Sequence, residues 1–298
     1  MTRSLLFGLV LTPCLASAAA GDVPRYVLEI PASVRTILIA DTESATLHRY
    51  AVDNGALILA EEPRISMGQN GVGKRATGDR RTPLGIYFIV DELETIGLHE
   101  KYGPLAFPLD YPNAWDRAKQ RTGSGIWIHG VAPGSGPRPE RDTDGCIALA
   151  NADLLSLSEH LAPLRTPVIV ARRVETLTQQ EITALRDQLL AALELWKSSF
   201  RDGNWSQFLA LYAEDFAYRG MTRDEWIALR LQSGDARTVD EFSLDDILLL
   251  ADPEDADLYL SRFRQTIRES GRTIATTKRL YWRKSPQGSF MIVAEDNG

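Results

Sequence analysis

The hydrophobic pattern of the chain changes character near Val174, and that change limits the folds open to it. Upstream, apolar residues come in short runs divided by turn residues. Residues 36–40 and 46–52 flank a short polar break and read as a hairpin. Asp53-Asn54-Gly55 reads as a turn. Residues 86–90, 125–130 and 167–171 read as further strands, the second running through His129. Asn151 reads as the cap of a helix over about 152–161. Downstream, Thr178-Gln179-Gln180-Glu181 is a capping box, followed at helical spacing by Ile182, Leu185, Leu189, Leu193, Trp196 and Phe200. Gly203-Asn204 breaks that helix, and Trp205, Phe208, Leu209 and Tyr212 fit a shorter one. Thr222-Arg223-Asp224-Glu225 is a second box, leading into Trp226, Leu229 and Leu231. After Gly234 come strand patterns at 242–250, 256–267, 273–284 and 289–295. The reading is a mainly-β domain over 35–172 followed by an α+β domain over 178–298.

The first twenty residues read as a secretory signal. Arg3 supplies the positive charge, 5–15 the apolar core, and Ala16-Ser17-Ala18 or Ala18-Ala19-Ala20 the small-residue cleavage site. That core is shorter than the ~20 residues a membrane span needs. An uncleaved anchor is the other reading of the same residues. The expected location is the periplasm, after cleavage. The formal charge is −7, and one unit more negative once Arg3 leaves with the leader. Nucleic-acid binding needs a basic footprint, so no nucleic-acid partner is expected.

Two cysteines occur, Cys14 in the leader and Cys146. The exported chain then carries one thiol and no internal disulfide partner. A single thiol with a histidine elsewhere in the chain is a candidate nucleophile pair. His129, seventeen positions upstream of Cys146, closes an Ile-Trp-Ile-His-Gly segment. Gly145 allows a tight turn, and the N–H groups of Asp144, Gly145 and Cys146 are candidate oxyanion donors. The competing reading makes Cys146 a small buried apolar residue ahead of Ile147 and Leu149. His48, His99 and His160 show no metal-ligand spacing, so neither metal nor cofactor is expected.

The His129-Gly130 and Thr143-Asp144-Gly145-Cys146 segments together resemble the YkuD domain of L,D-transpeptidases. Residues 78–87 and the Tyr111-Pro112-Asn113 segment extend the resemblance, in the family's order. It implies a β-sandwich-like fold and a thioester mechanism on peptidoglycan stem peptides. It implies Cys146 as nucleophile, His129 as base, the Gly130 carbonyl as the group that orients the imidazole, and Tyr111 near the substrate channel. Two departures stand out: Asp144 replaces a usual histidine, and Ala148 a frequent arginine. Arg80, Arg81, Arg138 and Arg141 are candidate substitutes for the missing substrate anchor.

The C-terminal pattern, with Trp196, Trp205, Phe208, Tyr212, Phe216 and Tyr218, resembles the nuclear transport factor 2-like cone. That aromatic set fits either core or a ligand pocket, and the fold is a candidate homodimer surface. The resemblance extends to cell-shape L,D-carboxypeptidases, which pair the two domains. The acyl group then passes to an amine, as in cross-linking, or to water, as in trimming tetrapeptides to tripeptides. An inactive wall-binding module is a third reading.

Overall fold

The computed structural model describes residues 23–94, 96–97, 99–232 and 239–298, so the expected leader, Cys14 and Gly234 lie outside the described residues. The first domain is a pair of packed sheets. One has five strands, in the order Ala56–Glu61, Thr46–Asp53, Thr36–Asp41, Pro167–Ala171 and Gly85–Phe88. The other has six, in the order Arg141–Thr143, Ile65–Gly68, Ile147–Leu149, Trp127–His129, Leu105–Pro108 and Leu93–Glu94. The expected hairpin forms, with Thr36 opposite Ala51. The Asn54-Gly55 turn has φ of 48° and 80°, the doubly positive geometry that suits strand twist in a two-residue hairpin loop.

Central strands are covered on both sides. Every residue of Thr36–Asp41 is buried. Leu38 and Ala40 join Tyr87, Phe107, Ile128 and Ile147 in the core between the two sheets. Ile37 and Ile39 join a different core, which includes Leu248, Leu250, Leu260 and Val293 of the second domain. An unbroken apolar run is what a strand buried on both faces requires. The two domains therefore share one hydrophobic core, rather than hanging on a linker.

The second domain is built on a seven-stranded sheet. Four long strands, Glu241–Ala251, Leu258–Glu269, Arg272–Lys284 and Phe290–Asp296, pair antiparallel in succession. Val27–Glu29, which precedes the first domain in sequence, pairs with Glu241–Ala251 at one edge. Both capping boxes form, one starting the helix Gln179–Arg201 and the other Arg223–Gln232. Tyr212 departs from expectation. The shorter helix is Trp205–Ala210, and Tyr212 opens the strand Tyr212–Tyr218, paired in parallel with Ile292. Its hydroxyl accepts from Trp196 Nε1 at 3.0 Å and donates to Glu295 at 3.2 Å, and its ring lies 4.3 Å from that of Trp226. These tertiary contacts outweigh local helical spacing. Trp196, Phe208, Tyr212 and Phe216 are core, each fully buried.

A buried ion network crosses the domain junction. Arg279 donates from Nε and Nη2 to the Asp296 carboxylate at 2.6 and 2.8 Å, and from Nη1 to Asp110 of the first domain. Burial pushes the Asp110 carboxyl up, and the guanidinium opposes that push. Arg279→Met leaves both carboxylates buried without this partner. We expect a loss of about 3–5 kcal/mol, the usual result of breaking a buried pair from one side. Urea unfolding with an unchanged midpoint contradicts this assignment.

Candidate active site

The strands Trp127–His129 and Ile147–Leu149 lie side by side in parallel, with Ile128 beside Ile147 and His129 beside Ala148. Carried back one residue, this register sets Cys146 beside Trp127. Side chains alternate along a strand. His129, Ala148 and Cys146 therefore share one face, while Ile128 and Ile147 enter the sandwich core. The next strand sets Ser66 beside Ala148 on the same face. Cys146 does not lead directly into a helix. A strand intervenes, and the helix Asn151–Ser158 starts five residues on. The thiol therefore lies outside the first turn where a helix dipole acts.

His129 is only 4% exposed. Its Nδ1 lies 2.6 Å from the Gly130 carbonyl oxygen. A carbonyl only accepts, so Nδ1 carries the proton of the neutral ring and Nε2 keeps the lone pair. Tyr102 holds the surroundings: its carbonyl accepts from Gly130 N–H at 3.0 Å and its ring meets the imidazole edge-on at 5.1 Å. Asn151, expected as a helix cap, has another task. Ala150 occupies the cap without a side-chain bond. The Asn151 amide instead clamps one residue, accepting from Val131 N–H at 2.8 Å and donating to Val131 C=O at 2.9 Å. A Cβ at Gly130 would fall 2.3 Å from Asn151 Oδ1. The clamp and the imidazole-bonding carbonyl therefore both depend on glycine at 130.

Two buried threonines fix the turn before Cys146. Thr143 Oγ1 accepts from Gly145 N–H at 3.1 Å and donates to the Cys146 carbonyl at 2.7 Å. Thr82 Oγ1 donates to the Gly145 carbonyl at 3.0 Å and accepts from Gly68 N–H at 2.9 Å. Gly145 has φ +127°, and a Cβ there would lie 2.7 Å from the Arg81 carbonyl oxygen. The Gly145 N–H, expected as an oxyanion donor, is thus already engaged by Thr143. The Asp144 carboxylate is 71% exposed and lies 3.7 Å from Arg80 Nε, so it points outward.

The remaining candidates are dispersed. Arg80 also donates to Gln69 at 3.0 Å, and Arg81 to the Val72 carbonyl at 3.0 Å. Arg138 bonds Asp142 and lines a cavity that Ala148 also lines. Arg141 is exposed in its own strand. Tyr111 is buried, with its hydroxyl donating to the Thr122 carbonyl at 3.1 Å, which ties it to core rather than to open surface. Lys74 escaped sequence reasoning. It is 3% exposed, with its ammonium 2.8 Å from Asp79. Burial pushes Asp79 up, but N–H groups of Ala76, Arg75 and Arg81 and the Lys74 ammonium hold it well below the usual carboxylate range.

Residues 35–170 match the model of the YkuD L,D-transpeptidase catalytic domain. The first domain is a YkuD domain. Residues 188–296 match the Cds6 C-terminal NTF2-like domain, in agreement with the cone expected for the second half. The two-domain fold is shared with solved structures. One is Bd1075 of Bdellovibrio bacteriovorus: 22% identity, TM-score 0.76, covering 93% of this chain and 99% of that one. Another is the helical cell shape determining protein Pgp2 of Campylobacter jejuni: 24% identity, TM-score 0.76, covering 92% of this chain and 95% of that one. No curated protein matches the chain by sequence. Among the described residues no helix is long and apolar enough to cross a membrane.

The electrostatics of this YkuD domain favour a neutral resting pair. Burial pushes the His129 imidazolium down to about 4, against the Gly130 hydrogen bond, with Arg138 and Lys101 adding to the fall. Burial pushes the Cys146 thiol up, against a Trp127 backbone hydrogen bond and the Lys101 charge. A raised thiol is protonated at neutral pH. Iodoacetamide labelling of Cys146 should therefore be slow at pH 7 and climb only above about pH 9, the ordinary thiol value. A labelling rate that levels off below pH 7 contradicts the neutral pair.

Proposed function

We propose that this chain is an exported enzyme that acts on peptidoglycan stem peptides through a thioester at Cys146. One observation carries the reading: the thiol shares a sheet face with an imidazole whose Nδ1 is held by the Gly130 carbonyl, leaving Nε2 as the basic nitrogen. In the first half-reaction Nε2 takes the thiol proton as sulfur attacks the carbonyl of the third stem residue. The oxyanion is met by the N–H groups of Asp144 and Cys146, since Thr143 occupies that of Gly145. The imidazolium then returns its proton to the departing nitrogen, the C–N bond breaks, and the terminal D-residue leaves. In the second half-reaction an amine or water attacks the thioester, with His129 again as base.

Water is the acceptor we favour, which makes the chain an L,D-carboxypeptidase that trims tetrapeptides to tripeptides. The support is the joint arrangement of the two domains, shared over nearly the whole chain with a helical cell shape determining protein. Mass spectrometry of muropeptides after incubation separates the outcomes. Tripeptide monomers without dimers support trimming, and new cross-linked dimers support transpeptidation. An unchanged digest removes the enzymatic reading and leaves the wall-binding module. Asp144, one of the two departures from the family pattern, points to solvent and pairs with Arg80.

A further inference from the structure

The sulfur of Cys146 is held by the residues that lead into the strand Trp127–His129. The thiol donates to the Gly125 carbonyl at 3.4 Å, and a Trp127 backbone hydrogen bond favours the thiolate. Gly125 closes a segment, 119–125, that belongs to no helix or strand and follows the helix Ala114–Ala118. Beyond it, Ile126 is anchored in the sandwich core, its carbonyl accepting from Leu109 N–H at 2.9 Å. Gly123 and Gly125 have φ of 107° and 72°, so the backbone on both sides of Ser124 is in a region where glycine turns freely. The Gly125 peptide plane thus hangs between Ile126 and whatever pins the segment before it.

Three anchors do so. Thr122 N–H donates to the Arg75 carbonyl at 2.9 Å, and the Thr122 carbonyl accepts from the Tyr111 hydroxyl. Gly123 lies against Lys74, where a Cβ would fall 3.0 Å from Cε. The third anchor comes from the other domain. Arg121 donates from Nη1 to Asp116 at 3.0 Å and from Nη2 to Glu254 at 2.6 Å. Asp116 is buried in the helix Ala114–Ala118, and Glu254 follows the strand Glu241–Ala251 of the second domain. The Arg121 and Glu254 side chains are 15% and 25% exposed, so water screens this pair less than an ordinary surface ion pair. Glu254 is itself presented by a fixed turn. The buried Asp252 carboxylate accepts from Glu254 N–H at 2.8 Å and from Asp255 N–H at 2.9 Å, and Pro253 restricts the backbone between them.

We propose that Arg121 and Glu254 are positioning residues, through which the second domain sets the Gly125 carbonyl and so the orientation of the Cys146 thiol. The second domain then supports the site as well as the fold. The thiol proton points to Gly125 at rest and passes to His129 Nε2 on attack. A segment that drifts spreads the sulfur over several orientations, fewer of which face the imidazole. The consequence for turnover rests on the thioester reading given above, and the consequence for the thiol does not.

The test compares the full-length protein with Glu254→Ala, Glu254→Gln and Glu241→Ala. Glu241 pairs with Arg268 at 3.1 Å elsewhere in the second domain and serves as the control. Hydrogen exchange is followed on peptides covering 119–126 and 167–171, alongside iodoacetamide labelling of Cys146 and turnover of a tetrapeptide muropeptide. In Glu254→Ala, exchange over 119–126 should rise about tenfold, as for one charged hydrogen bond lost, while 167–171 stays within about twofold. Labelling at pH 7 should rise at least about threefold as the sulfur loses its shielding. Turnover should fall about tenfold in kcat with KM held within about twofold, the mark of a displaced reacting group. Glu254→Gln keeps an acceptor for Arg121 and should fall between Glu254→Ala and the parent. Glu241→Ala should match the parent. A merely structural role speeds exchange in both peptides together. That result overturns the proposal, as does labelling in Glu254→Ala within about twofold of the parent. With an active parent, an unchanged kcat in Glu254→Ala overturns it too. A parent without turnover removes the enzyme, and exchange and labelling then decide the tether by themselves.

Discussion

Cys146→Ala is expected to abolish release of the terminal residue from tetrapeptide muropeptides, by at least about 10,000-fold, as when a covalent nucleophile is lost. Cys146 is the free thiol among the described residues, and Cys14 lies outside them. The fold should survive the change. The thiol makes only weak contacts, to the Gly125 carbonyl at 3.4 Å and to the Trp127 backbone, and the turn around it is fixed by the Thr82 and Thr143 hydroxyls. A stability change within about 1 kcal/mol follows from losing a contact of that kind. Lost turnover with an unchanged unfolding midpoint therefore isolates the chemistry of sulfur. Full activity in the variant ends the thioester reading.

His129→Ala is expected to cost about 100- to 10,000-fold in turnover, the range for a positioned general base. Its effect on the resting thiol should be small. A preformed thiolate–imidazolium pair loses thiolate when the imidazole goes. Here burial keeps both partners neutral, so the pH profile of Cys146 labelling should barely move in the variant. The same logic sets the acid limb of kcat/KM. His129 is a base while unprotonated, and burial holds its titration down to about 4. Activity should persist from neutral pH to about 5 and fall as pH drops through about 4. A fall centred on pH 6.5, the ordinary histidine value, contradicts the buried neutral imidazole.

Periodicity made most long elements legible. The strands with unbroken apolar runs, the two capping boxes and the C-terminal strands stand where the pattern sets them. The misses are local. Ile65–Gly68 and Leu105–Pro108 are too short to show alternation, and Ala56–Glu61 is an edge strand with Ile58 and Leu59 exposed. Tyr212 had the right spacing for a helix and was claimed by a sheet. Within the candidate site, Cys146, His129 and Gly130 could be singled out because their residue types carry chemistry. Their supports could not. Thr82, Thr143 and Asn151 work through hydrogen bonds that link residues 20 to 63 positions apart or lock a three-residue turn. Ser66 reaches the site only because the sheet register sets it beside Ala148. Such contacts exist only once the strands have paired.

The most direct measurement is acid quenching of the enzyme during turnover of a tetrapeptide muropeptide, followed by peptide mapping by mass spectrometry. Thioester chemistry gives an adduct with the mass of the acyl tripeptide on the fragment that contains Cys146, absent in Cys146→Ala. Product formation with no adduct on that fragment, or with an adduct on another residue, contradicts it.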